Sequence, residues 1–169
     1  MTKKVYVLDS SAFIGGFCSE NKANFTVEEV TQEVKDLKSN LFLQSAIKEG
    51  KIEIIAPDKE FLDKLELIIQ NSGDNTRLSQ VDKNVIALAM TLKHKKLDPT
   101  VVTDDYSMQN VLKILGISYR SILTEGINQI YNWIKICKGC KKKYASDYKF
   151  NECEICGSPI IKKRIKKVN

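Results

Sequence analysis

Short apolar runs separated by amphipathic stretches predict that strands and helices alternate along most of this chain. Runs typical of buried strands stand at 5–8 ("VYVL"), 51–57 ("KIEIIAP"), 100–103 ("TVVT") and 117–122 ("ISYRSI"). Strands that alternate with helices form parallel sheets covered on both faces. We therefore expect residues 1–125 to fold as one three-layer α/β domain around a central parallel sheet.

The stretches between these strands carry apolar residues at helical spacing and show recognisable helix ends. A short helix is predicted to open at Ser10, and Thr26 with Glu29 has the spacing of a capping box. Pro57 suits the first position of a helix that reaches about residue 70. Further helices are predicted within 40–51, ended by Gly50, from about Val81 to Leu92, and over 106–116, ended by Gly116.

The positive charge of the chain is concentrated at its C-terminus. The net charge is +6, yet residues 1–134 hold 16 Lys or Arg against 18 Asp or Glu, whereas residues 135–169 hold 11 against 3. A basic segment beside a slightly acidic body predicts a polyanion partner, with a solubilising terminus as the alternative. No apolar run approaches the roughly 20 residues of a membrane span, and no signal core follows the N-terminus. We expect a soluble, cytoplasmic protein with no membrane partner.

Four of the five cysteines lie in the basic segment and are spaced as metal ligands. They form two pairs, Cys137 with Cys140 and Cys153 with Cys156. Four thiolates in a tetrahedron are typical of a structural zinc site that leaves no position open for chemistry. An iron–sulfur cluster and a redox pair are the alternatives. We expect one structural zinc ion.

Glycines, cations and rings surround the cysteine pairs. Gly139 and Gly157 offer the backbone freedom that metal-binding turns need, and Tyr148 or Phe150 is expected in the small core of the ribbon. Cations meet phosphates and rings stack on splayed bases, so a mixture of both suits RNA. The candidate RNA-binding residues are Lys141, Lys142, Lys143, Tyr144 and Lys149. The remote Cys18 is expected to be a small buried side chain.

Acidic residues follow two of the predicted strands and lie on two of the predicted helices. Open parallel sheets place their sites at the carboxyl ends of the strands. The acids at or near this edge are Asp9, Glu33, Asp82, Asp104 and Asp105. Each also has a structural interpretation, because Asp9 suits a helix cap, Asp82 with Ser79 has capping-box spacing, and Glu33 suits a solvated helix face.

Gathered at one edge, these carboxylates would repel one another unless they shared a cation. Hard oxygen ligands select magnesium or manganese, and such ions support in-line attack of water on a phosphodiester. The acids therefore indicate hydrolysis of a phosphate ester that needs no histidine.

The order of these motifs resembles that of the PIN-domain ribonucleases. The stretches "VLDSSAFI", "TVEEVTQEVKD", "LSQVDKNVIALA" and "VVTDDYSMQNV", followed by a four-cysteine ribbon, are similar to the archaeal Nob-type endonucleases, which mature the 3′ end of small-subunit ribosomal RNA. The resemblance covers nearly the whole chain. It implies a PIN-like domain with a C-terminal zinc ribbon, and manganese or magnesium as catalytic metal.

Carried over position by position, the resemblance assigns the catalytic and metal-binding acids. They are Asp9, Glu33, Asp82 and Asp105, with Asp104 as second choice for the last position. The family's Thr-x-Asp pattern selects Asp105, and it makes Asp104 a neighbour behind the metal ligands. Supporting hydrogen-bonding groups are expected at Ser10, Ser79, Thr103 and Asn110.

These observations lead to a predicted organisation and function. We expect a nuclease domain over 1–125, a linker over 126–134 with Gly126 as a hinge, a zinc ribbon over 135–160 and a basic tail over 161–169. The hypothesis is a metal-dependent endoribonuclease for the 3′ end of the 16S rRNA precursor. Its expected partners are this single-stranded RNA, the pre-small-subunit particle and, from the resemblance alone, a KH-domain assembly factor. The alternatives are a non-catalytic rRNA-binding assembly factor and, with less support, a zinc-ribbon DNA-binding protein.

Overall fold

Two separate β-sheets organise the chain. The computed structural model describes residues 2–72, 78–123, 131–145 and 147–166, and for 71–72, 131–133 and 164–166 it describes the backbone alone. The predicted hinge at Gly126, most of the predicted linker and residues 167–169 lie outside the described residues. Within the described residues, no helix has the length and apolar character needed to cross a membrane.

The first sheet has five parallel strands in the order β3-β2-β1-β4-β5. Its strands are β1 (Lys3–Leu8), β2 (Asn24–Thr26), β3 (Ile52–Ile54), β4 (Leu97–Val102) and β5 (Ser118–Arg120). The helices between them are α1 (Ser10–Ile14), α2 (Glu28–Glu33), α3 (Leu37–Lys48), α4 (Lys59–Ser72), α5 (Gln80–His94) and α6 (Tyr106–Ile114). The predicted α/β architecture with a parallel sheet is confirmed.

The second sheet is small and antiparallel and lies in the cysteine-rich segment. Its strands are β6 (Tyr131–Cys137), β7 (Lys143–Tyr144) and β8 (Ile160–Lys166), in the order β7-β6-β8. Thus β6 begins within the predicted linker, and β8 continues from the predicted ribbon into the predicted basic tail. A strand pair therefore extends beyond the cysteine pairs along both of these segments.

The strand at 24–26 was missed by the pattern analysis, which predicts four strands where the sheet has five. β2 has only three residues, all of them buried, so it shows neither alternation nor a long apolar run. Its first residue is held by tertiary contacts, because the Asn24 side-chain amide donates to the Ser19 carbonyl at 2.7 Å and to the Lys51 carbonyl at 3.0 Å.

Two predicted helix starts are wrong. Thr26 is no capping residue but the end of β2, and its hydroxyl donates to the buried Leu8 carbonyl at 2.8 Å, while α2 begins after Val27. Glu29 instead accepts a 2.9 Å hydrogen bond from the Asn84 side chain. Pro57 precedes α4, which begins at Lys59. The start shifts by one residue at α2 and by two at α4, which is within the usual uncertainty of a helix end.

The ends of α3 and α6 agree with the prediction. Gly50 and Gly116 follow these helices with φ of +69° and +62°, the left-handed conformation that glycine adopts without a steric penalty. The core lies between the sheet and its helices, and the middle of α5, from Val85 to Ala89, has no exposed surface. This packing fixes both ends of α5, including the first turn that carries Asp82.

Candidate active site and cysteine centre

The parallel pairing of β1 with β4 brings the first acid of the candidate site into place. Leu8 pairs with Val102, so the residues that follow, Asp9 and Thr103, leave the sheet side by side. The Thr103 hydroxyl donates to the Asp9 Oδ2 atom at 2.9 Å, and the Ser11 hydroxyl lies 3.3 Å from the same oxygen. Asp9 is consequently fixed at the carboxyl edge of the sheet by two elements at once.

The Asp9 carboxyl is buried, with 5% of its surface exposed. Burial raises its pKa to about 6 and the negative charge of Asp82 adds to the effect, whereas hydrogen bonds from the Ser10 amide and from the Thr103 and Ser11 hydroxyls lower it. A buried acid whose pKa is raised makes the ionised protein less stable than it would be with a neutral side chain. Such a cost is typical of functional carboxylates.

Asp82 combines a structural role with a place in the acid cluster. It closes a capping box at the start of α5, since its Oδ2 atom accepts from the Ser79 amide at 2.7 Å and its own amide donates to the Ser79 hydroxyl at 3.1 Å. Burial raises the pKa of Asp82, and the charge of Asp105 raises it further. The capping interpretation of the sequence is therefore correct, and it does not exclude the second role.

Glu33 is the last residue of α2 and is exposed to solvent. Partial burial of its carboxyl raises the pKa, the charge of Asp82 acts in the same direction, and Lys35 opposes both. The charge of Asp82 therefore links Glu33, at the end of α2, to the other acids.

The two adjacent acids after β4 point to different neighbours. Asp105 is the N-cap of α6, and its Oδ1 atom accepts from the amides of Ser107 at 2.6 Å and Met108 at 3.0 Å. The Asp104 carboxylate accepts from the amides of Ile122 at 3.0 Å and Leu123 at 3.1 Å, in the loop after β5. Asp104 thus holds that loop, while the charge of Asp105 acts on Asp82.

Asp82 is the common neighbour of the other three acids. Its charge acts on Asp9 and Glu33, and the charge of Asp105 acts on Asp82. We call Asp9, Glu33, Asp82 and Asp105 the acid cluster. None of these four acids takes part in an ion pair with a lysine or arginine that the structure describes. The net charge of the cluster is balanced by no protein cation in direct contact within the described ranges.

The acid cluster is looser than the cysteine site. Among the described residues, only the cysteines form a group of three or more ligand side chains with all donor atoms within 4.8 Å of one another. The acids are linked by electrostatic effects that all involve Asp82. Their oxygen atoms are the ligand type that Mg²⁺ and Mn²⁺ prefer, and the cluster therefore fits such an ion by its chemistry.

Several supporting residues escaped the sequence analysis. The Ser11 hydroxyl, besides its contact with Asp9, accepts from the Asp104 amide at 3.1 Å. Gln109 is fully buried, and its side-chain amide donates to the Thr103 carbonyl at 2.9 Å. The sequence does indicate a role for Gln109, because this polar residue lies among the apolar positions Met108 and Val111 of α6. A buried amide there needs partners, and the strand end supplies them.

The four cysteine sulfurs converge as a tetrahedral metal site requires. The Sγ atoms of Cys137 and Cys156 lie 3.4 Å apart, those of Cys140 and Cys153 lie 3.5 Å apart, and all four are within 4.8 Å of one another. Zinc with Zn–S bonds of about 2.3 Å places its sulfurs about 3.8 Å apart. The cluster therefore fits a structural zinc ion.

The two metal-binding turns differ from the expectation in one respect. Gly157 has φ +67°, as expected, but in the first turn the left-handed residue is Lys141, with φ +63°, and not Gly139. Gly139 is required for a different reason, since a Cβ atom there would lie 2.5 Å from the Ser158 Oγ atom and 3.3 Å from the Cys156 Sγ atom. The glycine allows the two turns to approach each other.

Hydrogen bonds in the ribbon favour the thiolate form of two cysteines. The Ser158 hydroxyl and amide and the Cys140 amide lower the pKa of Cys156 to about 5. The Tyr144 hydroxyl donates to the Cys153 Sγ atom at 3.0 Å and lowers the pKa of that thiol. Because thiolates are the form that binds zinc, these donors prepare the site for the metal.

Tyr144 lies in the core of the ribbon and not on its surface. It is 8% exposed, packs with Cys137 and Cys153, and stacks on Tyr148 with ring centroids 4.3 Å apart. The predicted role of Tyr144 as an RNA contact is therefore corrected to a structural one. Phe150, by contrast, is 69% exposed and touches Tyr148 edge-on.

The predicted RNA-binding lysines are all exposed, but they differ in their contacts. Lys142 forms an ion pair with Glu154, and the Lys141 ammonium donates to the Lys138 carbonyl at 2.7 Å. Cys18, which we expected to be buried, is only half-buried beside Phe42 and Lys51.

Comparisons with known proteins identify relatives of this chain. Residues 6–92 match the family model described as the PIN domain of ribonuclease. The chain is 51% identical to the endoribonuclease Nob1 of Methanothermobacter thermautotrophicus over 94% of this chain and 92% of that protein. It is 42% identical to the endoribonuclease Nob1 of Methanocaldococcus jannaschii, over 96% and 79% of the two chains. For the Pyrococcus abyssi endoribonuclease Nob1 the identity is 38%, over 95% and 94%.

The raised pKa of Asp9 predicts a gain in stability when its charge is removed. In buffer without divalent cations at pH 7, Asp9→Asn should raise the free energy of unfolding by about 1–3 kcal/mol, because the ionised buried carboxyl destabilises the folded state. The folded state holds this proton up to a pH of about 6, and the unfolded state loses it near 3.8. The stability of the wild type relative to the variant should therefore fall as pH rises from 4 to 6 and stay level above.

Asp36→Asn is the matched control for this measurement. Hydrogen bonds from the Ser39 amide and hydroxyl lower the pKa of the Asp36 carboxyl, so its charge stabilises the fold above its unfolded pKa. Its substitution should lower stability at pH 7 and lose that effect at acidic pH. Denaturant unfolding at several pH values measures both variants, and equal stability of wild type and Asp9→Asn at pH 4 and pH 7 would contradict the account.

The close approach at Gly139 predicts a weaker metal site in Gly139→Ala. The added methyl group would displace Ser158 and the Cys156 sulfur, so the zinc content per chain should fall and zinc release to a chelator should accelerate. Gly157→Ala is the control, because the space around it is open and only the cost of its left-handed backbone, about 1 kcal/mol, applies. Elemental analysis and release kinetics measure the difference. If Gly139→Ala retained zinc as well as the wild type, the close approach of Gly139 to Ser158 would not be important for the metal site.

Proposed function

The chain belongs to the archaeal Nob1 endoribonucleases, which carry a PIN domain, and we propose that it cuts the 3′ end of the small-subunit rRNA precursor with a divalent cation held by the acid cluster. The observation that carries this proposal is the arrangement of the four acids around Asp82 at the carboxyl edge of the parallel sheet. Such an arrangement at that edge is typical of a catalytic site. Helix capping explains the places of Asp82 and Asp105, whereas the Asp9 side chain makes no capping hydrogen bond to α1.

The charges of the acid cluster support cation binding. The charge of Asp82 raises the pKa of Asp9 and of Glu33, and the charge of Asp105 raises that of Asp82. Since Asp9 is also buried, the ionised cluster is unfavourable without a counter-charge. Asp9, Glu33, Asp82 and Asp105 would hold magnesium or manganese. When bound, such an ion lowers the pKa of a water molecule and neutralises charge on the phosphate oxygens.

The residues around the cluster orient the carboxylates before substrate arrives. Thr103 and Ser11 hold Asp9, Ser79 holds Asp82, and the first amides of α6 hold Asp105 through its Oδ1 atom. No hydrogen bond from a described residue reaches the Oδ2 atom of Asp105. Each aspartate is thus fixed by neighbours that leave the cluster facing the sheet edge, where a carboxylate can also accept a proton from attacking water. The expected products are a 3′-hydroxyl and a 5′-phosphate.

The ribbon and its tail are proposed to hold the RNA. Lys141, Lys143 and Lys149 are exposed cations, and the ring of Phe150, which follows Lys149, is exposed as well. The four cysteines would hold zinc, which fixes the turns that carry these residues. A single-stranded segment suits this surface, because cations meet its phosphates and a ring stacks on an unpaired base.

The partners and the location belong to the same proposal. A precursor of 16S rRNA implies the pre-small-subunit particle as the working environment and the cytoplasm as the compartment. The KH-domain assembly factor is proposed on the family resemblance alone.

Paired substitutions test which acids do the chemistry. Asp82→Asn and Asp105→Asn should each reduce manganese-dependent cleavage of a single-stranded RNA by at least 100-fold, since each removes one charge of the cluster. Asp104→Asn is the matched control at the adjacent position. Its carboxylate holds the loop at Ile122 and Leu123, so this variant should lose stability but keep cleavage within about 10-fold.

The outcomes separate nuclease from assembly factor. RNA affinity should remain within a few-fold of the wild type in Asp82→Asn and Asp105→Asn, because the ribbon holds the RNA. Tight RNA binding by the wild type without any cleavage in manganese or magnesium would favour the non-catalytic assembly factor. Full cleavage by Asp105→Asn together with loss in Asp104→Asn would reverse their assignment.

A further inference from the structure

Tyr106 carries a large exposed ring directly after Asp105, a member of the acid cluster. It is the first residue of α6 and directly follows Asp105, yet 51% of its surface is exposed. Other apolar positions of the same helix, Met108, Val111 and Leu112, have no exposed surface at all. The core is thus complete without Tyr106, and packing does not explain why an aromatic residue stands there.

The Tyr106 ring has no partner within the described part of the chain. Other rings are paired there, such as Tyr6 with Phe17 at 5.2 Å, edge to face, and Phe61 with His94 at 5.3 Å. No such ring pair includes Tyr106, no described cation lies over its ring, and its hydroxyl makes no hydrogen bond to a described residue. Both its face and its polar tip are therefore available for a ligand.

The backbone that carries Tyr106 is held rigidly. Asp105 caps the helix by accepting from the amides of Ser107 and Met108, and the Asp105 amide donates to the Thr103 hydroxyl at 3.1 Å. That hydroxyl in turn donates to Asp9. The contacts that fix the acids thus also fix the start of α6, so the ring is presented with little backbone freedom to lose on binding.

A nucleic-acid base is the ligand class that fits an exposed ring next to a phosphate-cleaving site. The phosphate that is cut must lie at the acid cluster, and Tyr106 is separated from one member of that cluster by a single peptide bond. A base next to that phosphate therefore lies within a few bonds of the backbone that carries the ring. Every base has a π-face, so stacking there holds the strand without selecting its sequence.

We propose that Tyr106 stacks on the base of a nucleotide that flanks the phosphate cut by this enzyme, and thereby positions the RNA strand on the acid cluster. This inference rests on the proposed nuclease function. It also gives a physical reason for a single-stranded substrate, because a base that stacks on a protein ring must first leave any duplex.

Substitution of the ring tests the proposal. Tyr106→Ala should lower kcat/KM for a single-stranded RNA by roughly 5- to 150-fold, the range that the loss of one stacked ring produces. Tyr106→Phe and Tyr106→Trp should remain within about 3-fold of the wild type, since both keep a ring to stack. Leu67→Ala is the control, because Leu67 is 63% exposed on α4, which supplies none of the acids.

An abasic substrate identifies the stacked base. RNAs with one abasic nucleotide just before or just after the cut remove the partner of the ring, so on one of them the wild type and Tyr106→Ala should become equal. If Tyr106→Ala matches the wild type on intact RNA, the proposal is overturned. It is also overturned if Tyr106→Phe is as defective as Tyr106→Ala, or if the defect persists on both abasic RNAs.

A binding measurement keeps this test apart from the test of catalysis. With Asp82→Asn as background, 2-aminopurine placed at successive positions of the RNA should be quenched at one or two adjacent positions, and Tyr106→Ala should remove that quenching while Tyr106→Phe retains it. Should the wild type fail to cut RNA, the nuclease proposal fails and this readout alone decides about stacking. If Tyr106→Ala leaves the 2-aminopurine quenching unchanged, the proposal is overturned. If this variant also changes the oligomeric state of the protein, the exposed ring serves a protein–protein contact instead.

Discussion

The parallel pairing of β1 with β4 is the constraint on which the candidate site depends. This register places Leu8 opposite Val102, so the chain leaves both strands at the same level with Asp9 next to Thr103. A shift of the register by one residue would turn each side chain of one strand to the other face of the sheet, and it would separate Asp9 from Thr103. The apolar residues of β1 and β4 that are buried on both faces of the sheet therefore also determine where the acids stand.

The same arrangement lowers the stability of the domain. Burial of Asp9 and the charge of Asp82 raise the pKa of Asp9 to about 6, which means that the ionised cluster opposes folding at neutral pH. Hydrogen bonds with Ser79 oppose the same effect at Asp82, which completes the capping box of α5. A fold that keeps carboxylates together in spite of their repulsion is typical of a site that binds a cation.

Most of the fold, and the acids and cysteines that are candidates for the sites, can be predicted from the sequence, and the exceptions have physical causes. The ends of β1 and β4 are encoded locally by apolar runs followed by acids, which marks Asp9 and the adjacent pair Asp104 and Asp105 as candidates. β2 was missed because three residues carry no period, and the role of Thr26 was mistaken because its hydroxyl bonds a distant strand. The different hydrogen-bond partners of the Asp104 and Asp105 carboxylates are seen only in the tertiary structure.

The ribbon illustrates the same limit. The spacing of its cysteines predicts the metal site, because each turn is local. Which aromatic side chain enters the core is not local, and Tyr144 was assigned to the surface although its hydroxyl reaches the Cys153 sulfur. Gly139 likewise owes its place to the opposite turn. The pattern of residues along one segment does not identify residues whose role depends on contacts with another segment.

Manganese binding to the zinc-loaded protein tests the central claim most directly, namely that the acid cluster shares a divalent cation. Titration calorimetry should show Mn²⁺ binding by the wild type and by Asp104→Asn, with at least a 10-fold loss of affinity in Asp82→Asn, because Asp82 is the common neighbour of the other acids. Equal Mn²⁺ affinity in all three proteins, or no binding to any of them, would contradict the account.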